Sequence, residues 1–163
     1  MKKLGQYVRL LAVAPSTRGL GFALLENGHL IDWGIKSARP KRSSQNMPNL
    51  MEVIARYQPH MIVMEDHSAK GSRRCPRIRA LGQRIINEVT KRNITYLVLP
   101  RQQVKRFFSC EGRKTKHDLA KLVARRFPDE VACRLPQTRL PWESESYQVA
   151  MFDAIALGLV ALD

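Results

Sequence analysis

Little in this chain points to disulfide, zinc or membrane chemistry. Cys75, Cys110 and Cys133 are its only cysteines, widely spaced and without a C-x-x-C pair. That spacing excludes a disulfide framework and a cysteine zinc site, and suits reduced thiols. The four histidines, His29, His60, His67 and His117, lack metal-ligand spacing, and His67 is expected in a loop. The longest apolar stretch, Val149–Leu162, carries Asp153 and is too short to span a bilayer. Near the start, Arg9 interrupts any apolar segment behind the two lysines, so no secretory leader is expected. Acid is also scarce: 14 Asp and Glu stand against 28 Lys and Arg, a net charge of +14. Such an excess favours a polyanionic partner, nucleic acid ahead of an anionic membrane surface.

What is present suits a folded domain. The hydrophobic content of 44% argues against disorder, and 163 residues fit one domain, 1–163, with one good core. Val8–Ala14 and Leu20–Leu25 read as strands around a tight Pro15–Gly19 turn. Asn27-Gly28 is a hairpin signal, because both residues tolerate positive φ, and His29–Ser37 follows as a third strand. Ala38–Pro48 is a basic connector. A helix is expected over Asn49–Tyr57, then a buried strand over His60–Glu65 and a small-residue, basic loop over Ser68–Pro76. Helix Arg77–Arg92, strand Ile94–Leu99, helix Arg101–Phe108 and helix Thr115–Phe127 come next, the last capped by Thr115 with Asp118. Pro128–Pro141 reads as irregular and Glu143–Leu162 as a long closing helix, its start stapled by Trp142. The order β-β-β-α-β-α-β-α-α predicts an α/β fold: a five-stranded mixed sheet with helices on both faces. Ligands of such sheets gather at the carboxyl ends of the central strands, where Ala14 and Glu65 fall.

Two acids stand out. Glu65 ends the run Met61-Ile-Val-Met-Glu, and so points into that crevice or pairs at a strand end. Asp153 is the one charged residue between Val149 and Leu162. A helix apolar nearly all round is buried, and a buried carboxylate needs a metal ion or a basic side chain. Gly158 lets that helix approach the sheet. Asp66, Glu143 and Glu145 are possible auxiliaries; Asp66 is expected to point away from Glu65, and Glu145 to favour a helix N-terminus. Basic residues cluster in two segments flanking the crevice. The first holds Lys70, Arg73, Arg74, Arg77 and Arg79; the second holds Arg101, Lys105, Arg106, Arg113, Lys114 and Lys116. Phosphate contact is their natural use, giving affinity rather than sequence readout.

The ordered set of motifs resembles the RuvC family of Holliday junction resolvases, within the RNase H-like superfamily. Leu11-Ala-Val-Ala14-Pro-Ser-Thr-Arg-Gly-Leu-Gly-Phe22 is similar to the family's first strand, Ile-Asp-Pro-Gly-Ser-x-x-x-Gly-Tyr, with Ala14 at the position of the catalytic Asp. Val63-Met-Glu65 matches the second acid, and Leu81-Gly-Gln83 the helix after it. Arg101-Gln-Gln-Val-Lys105, with Lys116, resembles the basic segment, and Met151-Phe-Asp153-Ala-Ile-Ala156 the closing helix. The resemblance covers roughly residues 8–162. It implies an RNase H-like fold and a Mg²⁺-dependent endonuclease (Mn²⁺ substituting) that cuts branched DNA as a homodimer in a cytoplasmic, nucleoid-associated setting. Residue 14, Glu65 and Asp153 would hold metal, and Lys105 and Lys116 would neutralise the phosphate. The departures are Ala14, Ala150 where the family carries Asp or His, and Ser68 where it often carries Phe. Glu145 or Glu143 would then be the stand-in for the ligand missing at 150. The chain reads as an inactivated or altered form of such a nuclease. The alternatives on the same fold are a non-catalytic nucleic-acid-binding module and an RNA-processing protein.

Overall fold

A computed structural model describes residues 8–37, 46–68, 74–112 and 115–163. Five strands form one mixed sheet in the order β3-β2-β1-β4-β5. Strands β1 (Arg9–Ser16), β2 (Gly19–Glu26) and β3 (His29–Ser37) make an antiparallel meander, and β4 (Met61–Glu65) and β5 (Thr95–Leu99) add in parallel beside β1. The five-stranded mixed sheet with helices on both faces is the α/β fold expected from the element order, and it agrees with the RNase H-like fold that the resemblance implies.

The period of two along β1 divides the core. Leu10, Ala12 and Ala14 face one helical layer, and Leu11 and Val13 the other. On the first face lie α3 (Arg101–Ser109), α4 (Lys116–Arg126) and α6 (Val149–Leu162); on the second lie α1 (Asn46–Tyr57) and α2 (Pro76–Lys91). Helix α6 packs on β1 and β2 and is covered by α4 and α3, which explains why nearly every residue in it is apolar. Two glycines allow the approach. A Cβ on Gly21 would stand 2.2 Å from the Ala150 carbonyl oxygen, and one on Gly158 2.5 Å from Leu25 Cδ1.

Several boundaries differ from expectation. Strand β1 runs on through Ser16, so Ala14 pairs with Gly21 inside the ladder and the turn shrinks to Thr17-Arg18. The Ser16 hydroxyl stabilises that turn, donating to the Gly19 carbonyl and accepting from Arg18 N–H. Helix α1 starts at Asn46 rather than Asn49: Pro48 falls in its first turn, where the missing N–H costs nothing. The buried Asn46 amide donates to the Ser16 carbonyl at 3.0 Å, tying α1 to the hairpin. Of the expected connector Ala38–Pro48, residues 38–45 lie outside the described residues, and 46–48 belong to α1. The proline-rich stretch contains a short helix, α5 (Pro128–Val131), and a 3₁₀ turn, Ala132–Arg134. Helix α6 begins at Val149, not Glu143; residues 143–148 fold as turns and extended chain instead.

Candidate active site

The carboxyl ends of β1 and β4, the start of α4 and the start of α6 border two adjoining cavities. The parallel pairing of β1 with β4 brings Glu65 to the sheet end nearest Ala14. Asp153 comes down from α6, one turn below Ala150. Asp153 and Glu65 line a small cavity of about 30 Å³ together with Arg74, Arg101 and Lys116. Asp153, Arg74 and Lys116 also line a larger crevice of about 350 Å³, whose wall includes Ala14, Ala150 and Glu145. The two acids therefore share the small cavity, and Asp153 also reaches the larger crevice, where the Ala14 and Ala150 methyl groups lie.

Both acids have basic neighbours. Arg74 Nη2 lies 3.3 Å from Glu65 Oε2. Lys116 Nζ lies 2.8 Å from Glu145 Oε1 and 3.9 Å from Asp153 Oδ2. The Asp153 side chain is 19% exposed. Burial pushes its carboxyl up to about 6; Lys116 and Arg74 pull it back, while Glu65 and Glu145 add to the rise. Lys116 is the first residue of α4, held there by a capping box. Thr115 Oγ1 accepts from the Asp118 N–H and Asp118 Oδ2 accepts from the Thr115 N–H.

The other expected site residues are distributed unevenly. Arg101 borders the small cavity, while Lys105 and Arg106 are exposed on α3 and line neither cavity. Arg77 and Arg79 are exposed in the first turn of α2. Lys70, Arg73, Arg113 and Lys114 lie outside the described residues. Asp66 turns away from the cavities, its Oδ1 accepting from the Ser68 N–H and hydroxyl. Glu143 is used locally, accepting from the Leu140 N–H. Glu145 is the auxiliary acid that reaches the crevice, but from irregular chain rather than from a helix N-terminus.

Three features were not legible in the sequence. Arg18, at the hairpin tip, lines the crevice and donates to the Glu145 carbonyl at 3.3 Å. His67 lies in the bend after β4 as expected, yet its ring is buried against Gly82, with neither nitrogen hydrogen-bonded among the described residues. Burial is the main cause lowering its pKa. Trp142 does not staple α6; it is 80% exposed. Position 142 lies seven residues ahead of the helix, too far for the contact that the sequence suggested.

The donor set fits one hard divalent ion at most. Glu65 and Asp153 border a common cavity, and Mg²⁺ needs only one or two carboxylates when phosphate and water complete its shell. Among the described residues, no three His, Cys, Asp or Glu side chains come together to hold a metal. A pair of ions, which calls for more carboxylates, does not fit these residues.

The chain is a mixed five-stranded α/β sheet with one acid at the tip of its fourth strand and another inside its last helix. No family model matches the sequence, and no curated protein matches it. Among solved structures, the chain is similar to Thermus thermophilus RuvC, with TM-score 0.61 and 16% identity over 93% of this chain and 91% of that one. It is similar to T. thermophilus RuvC in complex with Holliday junction substrate, with TM-score 0.60 and 15% identity over 93% and 90%. It is also similar to the yeast mitochondrial Holliday junction resolvase Ydc2, with TM-score 0.62 and 14% identity over 95% and 78%. The fold is thus that of the RuvC-type resolvases.

Proposed function

We propose that this chain is a RuvC-type, structure-specific endodeoxyribonuclease of branched DNA, four-way junctions first, with a catalytic centre reduced to two carboxylates. The observation that carries this reading is the meeting of Glu65 and Asp153 at one cavity, flanked by Arg74, Arg101 and Lys116. Phosphate is drawn to those cations, and the net charge of +14 supports the wider attraction of a DNA backbone. Glu65 and Asp153 would hold one Mg²⁺ (or Mn²⁺), which would polarise the phosphodiester and supply an activated water. Lys116 and Arg74 neutralise charge developing on the phosphate. Lys105 and Arg106 extend the phosphate track along α3. Ala14 contributes no ligand, so cleavage by the chain as it stands is slow. Symmetric cutting of a four-way junction needs two such centres, hence a homodimer.

A second reading is favoured by one observation. Each acid has a basic side chain beside it, Arg74 at Glu65 and Lys116 at Asp153, and no third ligand joins them among the described residues. On that reading the chain is a binding module that holds junctions without metal. The Ala14→Asp variant separates the two. Cleavage of four-way junctions with Mg²⁺ or Mn²⁺ should rise at least roughly tenfold over the unaltered chain, and Asp153→Asn should remove the gain. Junction binding with no cleavage by either chain would establish the module instead. Equal affinity for junction and linear duplex at fixed salt would overturn both.

A further inference from the structure

Trp142 is 80% exposed and Tyr147 52%, an unusual cost for large aromatic side chains. Hydrogen bonds between Leu140 and Glu143 hold the backbone of the turn that carries Trp142. The Glu143 N–H donates to the Leu140 carbonyl at 3.0 Å, closing a four-residue turn with Pro141 and Trp142 at its tip. Glu143 Oε2 accepts from the Leu140 N–H at 3.0 Å, so the turn is locked from both ends. The next residues are anchored to the crevice: Arg18 grips the Glu145 carbonyl and Lys116 its carboxylate. Tyr147 lines the crevice wall itself. Trp142 thus lies three positions along the chain from Glu145, which with Arg18, Arg74 and Lys116 lines the crevice.

Exposed aromatic rings next to phosphate-binding cations are the two parts of a stacking site for unpaired bases. We infer that Trp142, seconded by Tyr147, is a stacking platform for an unpaired nucleotide at the branch point of DNA lying in the crevice. This rests on the branched-DNA reading above. The Arg18, Arg74 and Lys116 rim supplies charge complementarity to a phosphate backbone, which favours a nucleic-acid strand over an apolar protein surface. The role is one of binding and discrimination. Branch points expose unstacked bases whereas duplex does not, so the platform adds affinity for branches alone.

The test uses the full chain, a four-way junction with 2-aminopurine at the branch point, and a linear duplex of the same length. Trp142→Ala is expected to weaken junction binding roughly tenfold and leave duplex binding within about twofold. Trp142→Phe, which keeps a ring, should retain most of the affinity. The 2-aminopurine emission should be quenched by the unaltered chain and not by Trp142→Ala. Unchanged junction affinity and quenching in Trp142→Ala, with unchanged melting temperature, would overturn the platform. So would conversion of a dimer to a monomer by Trp142→Ala in sedimentation, because the indole would then cover a second copy. Failure of the underlying reading looks different: the unaltered chain would show no junction preference. In that event, quenching of indole emission by oligothymidylate, lost in Trp142→Phe, would still support stacking, and its absence would dispose of it.

Discussion

Position 14 carries a methyl group, 9% exposed, on the wall beside Asp153. A carboxylate introduced there joins Glu65 and Asp153, and like charges in a partly buried site repel. Ala14→Asp should therefore lower metal-free stability by about 1–2 kcal/mol, and Mg²⁺ should restore it, as read by melting with and without the ion. Asp153 gives a pH prediction. Its carboxyl is raised from 3.8 to about 6, so between those values the folded state binds more protons than the unfolded chain. Stability of the metal-free protein then falls as pH rises through that window, by on the order of 2–3 kcal/mol, and is unaffected by this group below it. Asp153→Asn should melt progressively higher than the unaltered protein as pH is raised from 4 to 7, provided metal is removed. Asp153 was visible in the sequence as a single charge in an apolar helix, and Glu65 as an acid ending a buried strand. Arg18 was not: it reaches the crevice because a two-residue turn swings it over a segment 127 positions away. Nothing local to either partner encodes that meeting.

Elements position these residues with little slack. Gly21 faces the Ala150 backbone, which cannot rotate aside as a side chain could. Gly21→Ala should cost about 1–3 kcal/mol by forcing α6 away from β2, measurable by urea denaturation. The α4 cap links stability to binding, since Thr115 anchors the turn that presents Lys116. Thr115→Ala should cost about 1 kcal/mol and weaken DNA binding as well, whereas removal of a distant cap would affect stability alone. Apolar runs revealed β1, β2 and β4, which are buried on both faces of the sheet, rough alternation revealed the half-buried β3, and helical spacing revealed α1 and α2. The start of α6 was misread for a physical reason. Glu143, Ser144, Glu145 and Ser146 follow Pro141 and look like a capped helix start, but Glu145 is held by Lys116 and Arg18 in a non-helical path. Tertiary ties overrode local propensity there. Strand β1 outran its expected end because Ser16 satisfies the turn with its own hydroxyl.

For the whole molecule, charge sets how DNA is approached. A surface of +14 predicts steep salt dependence. With about six phosphate contacts, affinity should drop on the order of a thousandfold between about 50 and 200 mM salt, as measured by fluorescence anisotropy. Arg106→Ala, removing one exposed cation, should reduce the salt slope by about one without changing the preference for branches. No described helix is long and apolar enough to cross a membrane. The mixed sheet and its two helical layers were legible from element order; which basic residues border the crevice was not, since Lys105 and Lys116 read alike in sequence but only Lys116 meets the acids. The paired glycine contacts carry a last consequence. Helix α6 is wedged against β2 near both of its ends, so the floor of the crevice has almost no freedom to breathe. Accommodation of differently angled DNA arms then falls to the side chains at the crevice rim, and backbone amides of α6 should be among the slowest to exchange with deuterated solvent.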